Sequence, residues 1–224
     1  MKKIFVLVIS VFLSACLYSQ GNEPFATYSF SSFLASSIKS VEASTVNGGI
    51  TVNGSDASEA VVEMFVSRNN NSGGGIFSRR NRQNDDVKQI LEDEFTIDIK
   101  VEGGKLYAIA RPKNQRGNPR LNISFKISVP KQVDSNISSV NGSIQLGDLS
   151  GSHNIGTVNG ALRVDNVSGS ISGSTVNGSI NAANMNGRVR LSTVNGGISI
   201  SDARGAISTS TVNGRVTERN VIRE

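Results

Sequence analysis

The chain holds one histidine, His153, and one cysteine, Cys16, so chemistry that needs either residue has one place to happen. His153 lies close in sequence to Asp148, Ser150 and Ser152. An acid, a base and a hydroxyl are the parts of an activated nucleophile. Their placement argues against that use. All four lie in one short segment, and no Gly-x-Ser-x-Gly turn surrounds either serine. His153 also fills a slot that neighbouring repeats give to Ile, Leu or Val, so a core histidine is expected. No His-Glu-x-x-His, no Cys/His metal spacing and no GxxxxGK phosphate loop occurs. The expectation is a non-catalytic protein without cofactor or metal.

Calcium is the one metal worth a separate test. Nine-residue repeats can form rolls that bind calcium through a periodic aspartate. Here a unit reads VNGSINAAN (176–184), with no such aspartate. Calcium needs several oxygen ligands, usually including carboxylates. Asp148, Asp165 and Asp202 are too few to serve every turn. Folding is therefore expected to be independent of calcium.

Two basic clusters offer a different chemistry. Arg79, Arg80 and Arg82 form one, and Arg111, Lys113, Arg116 and Arg120 the other. They could contact an anionic envelope polymer or glycan, and salt would weaken that binding. No aromatic residues interleave with them for base stacking, so nucleic acid is not an expected partner. Solvated loops account for both clusters more simply.

The elements that position these residues are set by a repeat. Val140-Asn141-Gly142 returns at Val158, Val176, Val194 and Val212, in steps of 18 residues. Degenerate copies begin at Leu149, Val167, Met185 and Ala203, so the unit is nine residues. It runs apolar, x, Gly, x, apolar, x, usually apolar, x, then Thr, Asn or Asp. Its fifth and seventh positions alternate with polar neighbours, as in a strand with one buried face. Two units per turn predict a two-faced β-solenoid of 18 residues per coil, with like residues stacked over like. The regular repeats span 137–220. Asn141, Asn159, Asn177, Asn195 and Asn213 would stack as one ladder, and Thr157, Thr175, Thr193 and Thr211 as a second. Corner chemistry explains both, because Asn before Gly tolerates positive φ. A rarer use would be a flat Thr-x-Asn face against ice or a crystal surface, which requires both side chains to point outward.

The rest of the chain is less regular. Met1 to Gln20 combines Lys2 and Lys3, an apolar run and small residues, which is the pattern of an export signal. Two cleavage sites are open. Leu13-Ser14-Ala15-Cys16 has the form of a lipobox and would make Cys16 a lipidation site, giving a signal over 1–15. Ordinary cleavage before Gln20 would give a signal over 1–19. Residues 20–36 read as a lead-in segment. DDVKQILEDEF predicts a short helix near 85–94. FTIDIKV (95–101), KLYAIAR (105–111) and LNISFKISV (121–129) alternate as strands, and Pro130 ends the last. The fold class is all-β, with a wider, irregular N-terminal half capping the narrow repeats. Glu218 falls in a usually apolar slot of the last unit, where charge would protect an open edge.

TVNGGITVNG (45–54), LNISFKISVPK (121–131) and the run SSVNGSIQLGDLSG followed by further TVNG repeats together resemble the bacterial domain family DUF4097, whose name describes its members as putative adhesins. The resemblance covers residues 37–220 as a single domain. It implies an exported or envelope-associated β-solenoid with an adhesin-like role, in the periplasm, on an outer-membrane lipid anchor or at the cell surface. It carries no site residues and no ligand with it. An adhesin-like scaffold or binding module is thus the expected function, with anionic polymer or glycan binding as the alternative.

Overall fold

The computed structural model describes residues 26–68, 83–114 and 120–224. The expected export signal, Cys16, Arg79, Arg80, Arg82 and Arg116 lie outside the described residues. Four strands come first: β1 (Ala26–Leu34), β2 (Ser40–Asn47), β3 (Ile50–Ser55) and β4 (Glu59–Arg68). Helix α1 (Gln83–Glu94) precedes β5 (Phe95–Glu102), β6 (Lys105–Pro112) and β7 (Leu121–Pro130). The repeats form β8 (Asp134–Asn141), β9 (Ile144–Thr157), β10 (Leu162–Thr175), β11 (Ile180–Asn195), β12 (Ile198–Gly205), β13 (Ile207–Asn213) and β14 (Val216–Arg223). The described chain is mostly β with one α-helix, and its 14 strands join in one sheet that does not close as a barrel.

Within the repeats every pairing is parallel and places residue i beside residue i+18. Leu162 stands between Ile144 and Ile180, and Ile171 between His153 and Val189. The apolar slots explain this register. Ile144, Leu162 and Ile180 are fully buried, and Ile198 nearly so. Each such side chain gains about 1.5–3 kcal/mol on burial, and a one-residue slip would turn the whole row outward.

The strands outrun the nine-residue unit. β9, β10 and β11 pass through the mid-repeat corner unbroken, where a corner of about four residues was expected. The bend comes instead from single residues: Asp148, Asn166, Asn184, Asp202 and Asn220 all have φ of 52–55°. Asn and Asp enter this left-handed region more readily than branched residues do. The expected positive φ at the Asn of Val-Asn-Gly is therefore corrected. It belongs to the ninth residue of that unit. The glycine of the triplet serves close approach: a Cβ on Gly178 would lie 1.9 Å from the Gly160 carbonyl oxygen.

Both faces continue below the repeats. Asn47 of β2 pairs with Asn141, and Ile50 of β3 pairs with Ile144. The TVNGGITVNG segment, remote in sequence, is thus the layer directly beneath the first repeat. From β3 the sheet runs to β7 in parallel, then to β4 and β1 antiparallel. From β2 it runs to β6 in parallel, then to β5 antiparallel. Gly103 and Gly104, both at positive φ, turn β5 into β6. Ile90 and Leu91 seat α1 on the core.

At the other end, Glu218 stands beside Ile200 in the inward row. Arg223 Nη2 donates to Glu218 Oε1 at 2.6 Å, so an ion pair covers the last layer. Charge there discourages further strand addition.

Candidate functional site

The surface built by the repeats is a corner made of three rows. The Asn row is continuous. Asn141 Nδ2 donates to Asn47 Oδ1, and Asn159, Asn177 and Asn195 each donate to the Asn one layer before, all at 2.8 Å. Asn213 donates to Asn195 at 2.9 Å. The ladder has one more member than the regular repeat supplies, because Asn47 joins it.

The Thr row faces the other way. Thr157, Thr175 and Thr193 are buried. Thr157, Thr175 and Thr211 Oγ1 donate to the carbonyls of Gly142, Gly160 and Gly196 at 2.9 Å, and Thr193 donates to Gly178 at 3.0 Å. Ser139 and Thr45 continue the row by donating to Gly48 and Ile123. The chain turns between Thr and Asn, so residues two apart fall on opposite sides. This corrects the outward Thr-x-Asn face: its threonines turn inward and donate to the corner carbonyls.

The third row was not foreseen. Val140, Val158, Val176 and Val194 are each 39–40% exposed. The repeat pattern marks the first position of every unit as apolar without saying which way it faces. In the intervening units it faces inward, with Leu149, Val167, Met185 and Ala203 buried. The difference was visible in the preceding residue: Thr goes inward ahead of an outward Val, while Asp or Asn bends the chain ahead of an inward residue. That second corner carries its own polar links, with Asn166 donating to Asp148 at 2.5 Å and Asn220 to Asp202 at 2.8 Å.

His153 is 1% exposed. Its Nδ1 lies 2.9 Å from Ser135 Oγ in the layer below, and its Nε2 is buried without a hydrogen-bond partner. Burial lowers its pKa below 6.5, partly opposed by the charge of Asp134. The nucleophile arrangement with Asp148, Ser150 or Ser152 is not formed. Asp148 accepts from Asn166, Ser150 Oγ donates to the Lys131 carbonyl, and the Ser152 amide donates to Asp134. Parallel stacking sets these partners, because the nearest side chains lie one layer away rather than along the strand.

Of the basic clusters, Arg111, Lys113 and Arg120 are described. Lys113 Nζ donates to the Glu92 carbonyl, and Arg120 Nε pairs with Glu94 Oε1 at 2.5 Å. Both are thereby tied to the end of α1. Among the described residues no group of three or more His, Cys, Asp or Glu could hold a metal ion. No described helix is long and apolar enough to cross a membrane.

No family model matches the chain, and no curated protein does either. The DUF4097 resemblance therefore rests on its motifs alone. Two solved structures overlap it loosely. One, a "putative cell adhesion protein" from Clostridium sporogenes, is 8% identical with a TM-score of 0.40, over 87% of this chain and 98% of that one. The other, a "putative adhesin" from Parabacteroides distasonis, is 10% identical with a TM-score of 0.34, over 88% and 96%. Overlaps of this size do not establish a shared fold.

Proposed function

We propose that the chain is an exported, non-catalytic β-solenoid of the cell envelope that works as an adhesin-like scaffold or binding module. The observation that carries this reading is the hydrogen-bonded ladder from Asn47 to Asn213, flanked by the exposed valines. It is a rigid, uncharged ridge whose side chains repeat at the strand spacing, about 4.8 Å. Such a surface suits recognition of an extended partner by many weak, equivalent contacts. The burial of His153 leaves the single imidazole out of reach of substrate, which supports a role without catalysis. The anionic-polymer alternative gains no support from Lys113 and Arg120, which are engaged with α1.

An epitope tag placed after Glu224 tests the reading. Antibody staining of intact cells is expected. Staining only after permeabilisation would remove the adhesin role and leave a periplasmic scaffold.

A further inference from the structure

We infer that β1 is a dimerisation edge: its outer side pairs antiparallel with β1 of a second copy, about a two-fold axis at Phe30. β1 ends the sheet. It pairs with β4 on one side, and among the described residues no strand pairs with the other. An unpaired strand exposes a row of backbone donors and acceptors that readily takes another strand.

The other edges of the sheet are protected by charge. β5 carries Asp98, Lys100 and Glu102. β14 carries Glu218, Arg219 and Arg223. β13 is uncharged, but it shares the terminal layer with β14 and abuts Arg215. β1 reads ATYSFSSFL, with no charged residue and no proline over its whole length. It also exposes two large apolar side chains, Phe30 at 49% and Leu34 at 70%.

Several features select a second copy over a foreign strand. A strand that pairs with itself across a two-fold axis must oppose like with like, so lack of charge is what self-pairing requires. Phe30 is the middle residue of Ala26–Leu34, so symmetric pairing sets Phe30 against its own copy, with the regular part of the strand running from Ser29 to Leu34 past the β-bulge between Thr27 and Ser29. β7, β4 and β1 alternate in direction, each antiparallel to the next, and the twist of that run suits one more antiparallel neighbour. Glu63 lies opposite Phe30 on β4, and its pairing with Lys126 leaves no uncompensated charge beside the axis.

The full chain, examined by light scattering and sedimentation equilibrium at tens of micromolar, is expected to show twice the monomer mass. Phe30→Lys places two like charges across the axis and is expected to halve that mass while leaving circular dichroism at about 25 °C unchanged, with a lower melting temperature from the lost association. Leu34→Lys, at a more exposed site, is expected to weaken the dimer and serves if Phe30→Lys does not fold. Mixing Phe30→Lys with Phe30→Glu is expected to restore the doubled mass. A wild-type chain that remains monomeric would overturn the inference. So would lysine variants that dimerise like wild type, or a charge-swapped mixture that stays monomeric.

Discussion

Asn47 and Asn141 stand 94 positions apart in the chain and share a hydrogen bond of 2.8 Å. The bond joins the irregular N-terminal half to the repeats in the same register that the repeats use among themselves. Ile50 beside Ile144 repeats the match in the core. The N-terminal half therefore supplies the layer on which the first repeat stacks. The layers it starts are held by three repeating contacts: buried apolar rows, inward threonines and the outward amide ladder.

The ladder predicts a position-dependent cost. Asn177 both donates and accepts, whereas Asn213 only donates among the described residues. An exposed hydrogen bond contributes about 0.5 kcal/mol net. Asn177→Ala should therefore cost about 1 kcal/mol, roughly twice the effect of Asn213→Ala. Urea midpoints of the two variants give the comparison.

Glycine substitutions separate close approach from simple flexibility. A Cβ on Gly178 would lie 1.9 Å from backbone, while one on Gly156 would meet nothing nearer than 3.5 Å. Gly178→Ala should lose about 3 kcal/mol by forcing layers apart. Gly156→Ala should change stability by less than about 1 kcal/mol, since a tolerated alanine restricts the unfolded chain. Equal losses in thermal or urea unfolding would show that layer spacing is not the reason for the triplet's glycine.

His153 predicts a pH dependence. Its folded pKa is lowered from 6.5, chiefly by burial and against the pull of Asp134. The folded state thus binds fewer protons than the unfolded one. The stability of the neutral form is full above pH 6.5 and is lost as the pH falls towards the lowered folded value. The double variant His153→Leu, Ser135→Ala removes the imidazole without stranding the serine hydroxyl. Its stability should fall less than wild type between pH 7 and the acid limit of folding. Parallel pH profiles would remove His153 as a source of the acid loss.

Much of this fold could be read from the chain. The 18-residue step and the fifth-position Ile and Leu row set the strand register, because a strict period leaves one register that buries the row. The helix expected over 85–94 appears as Gln83–Glu94. What escaped was set by contacts between layers. Val52-Asn53-Gly54 spells the corner triplet, yet Val52 lies buried beside Leu146, in a strand rather than at a corner. Its role follows from the residue stacked on it, which the local sequence does not name. The same holds for His153, whose partner Ser135 lies 18 residues earlier, in the adjacent layer.

The most direct test of the shared register is a pair of cysteines. In a Cys16→Ser background, Asn47→Cys with Asn141→Cys places two thiols on adjacent paired strands, within the Cα separation a disulfide accepts, about 4.4–6.8 Å. Asn47→Cys with Asn159→Cys places them two layers apart, about 10 Å at the strand spacing. Under mild oxidation the first pair should crosslink readily in the native protein and the second should not, as read by mass spectrometry of the digested chain. Failure of the first pair to crosslink, or equal crosslinking of both, would contradict the stacking of residue 47 beneath the first repeat.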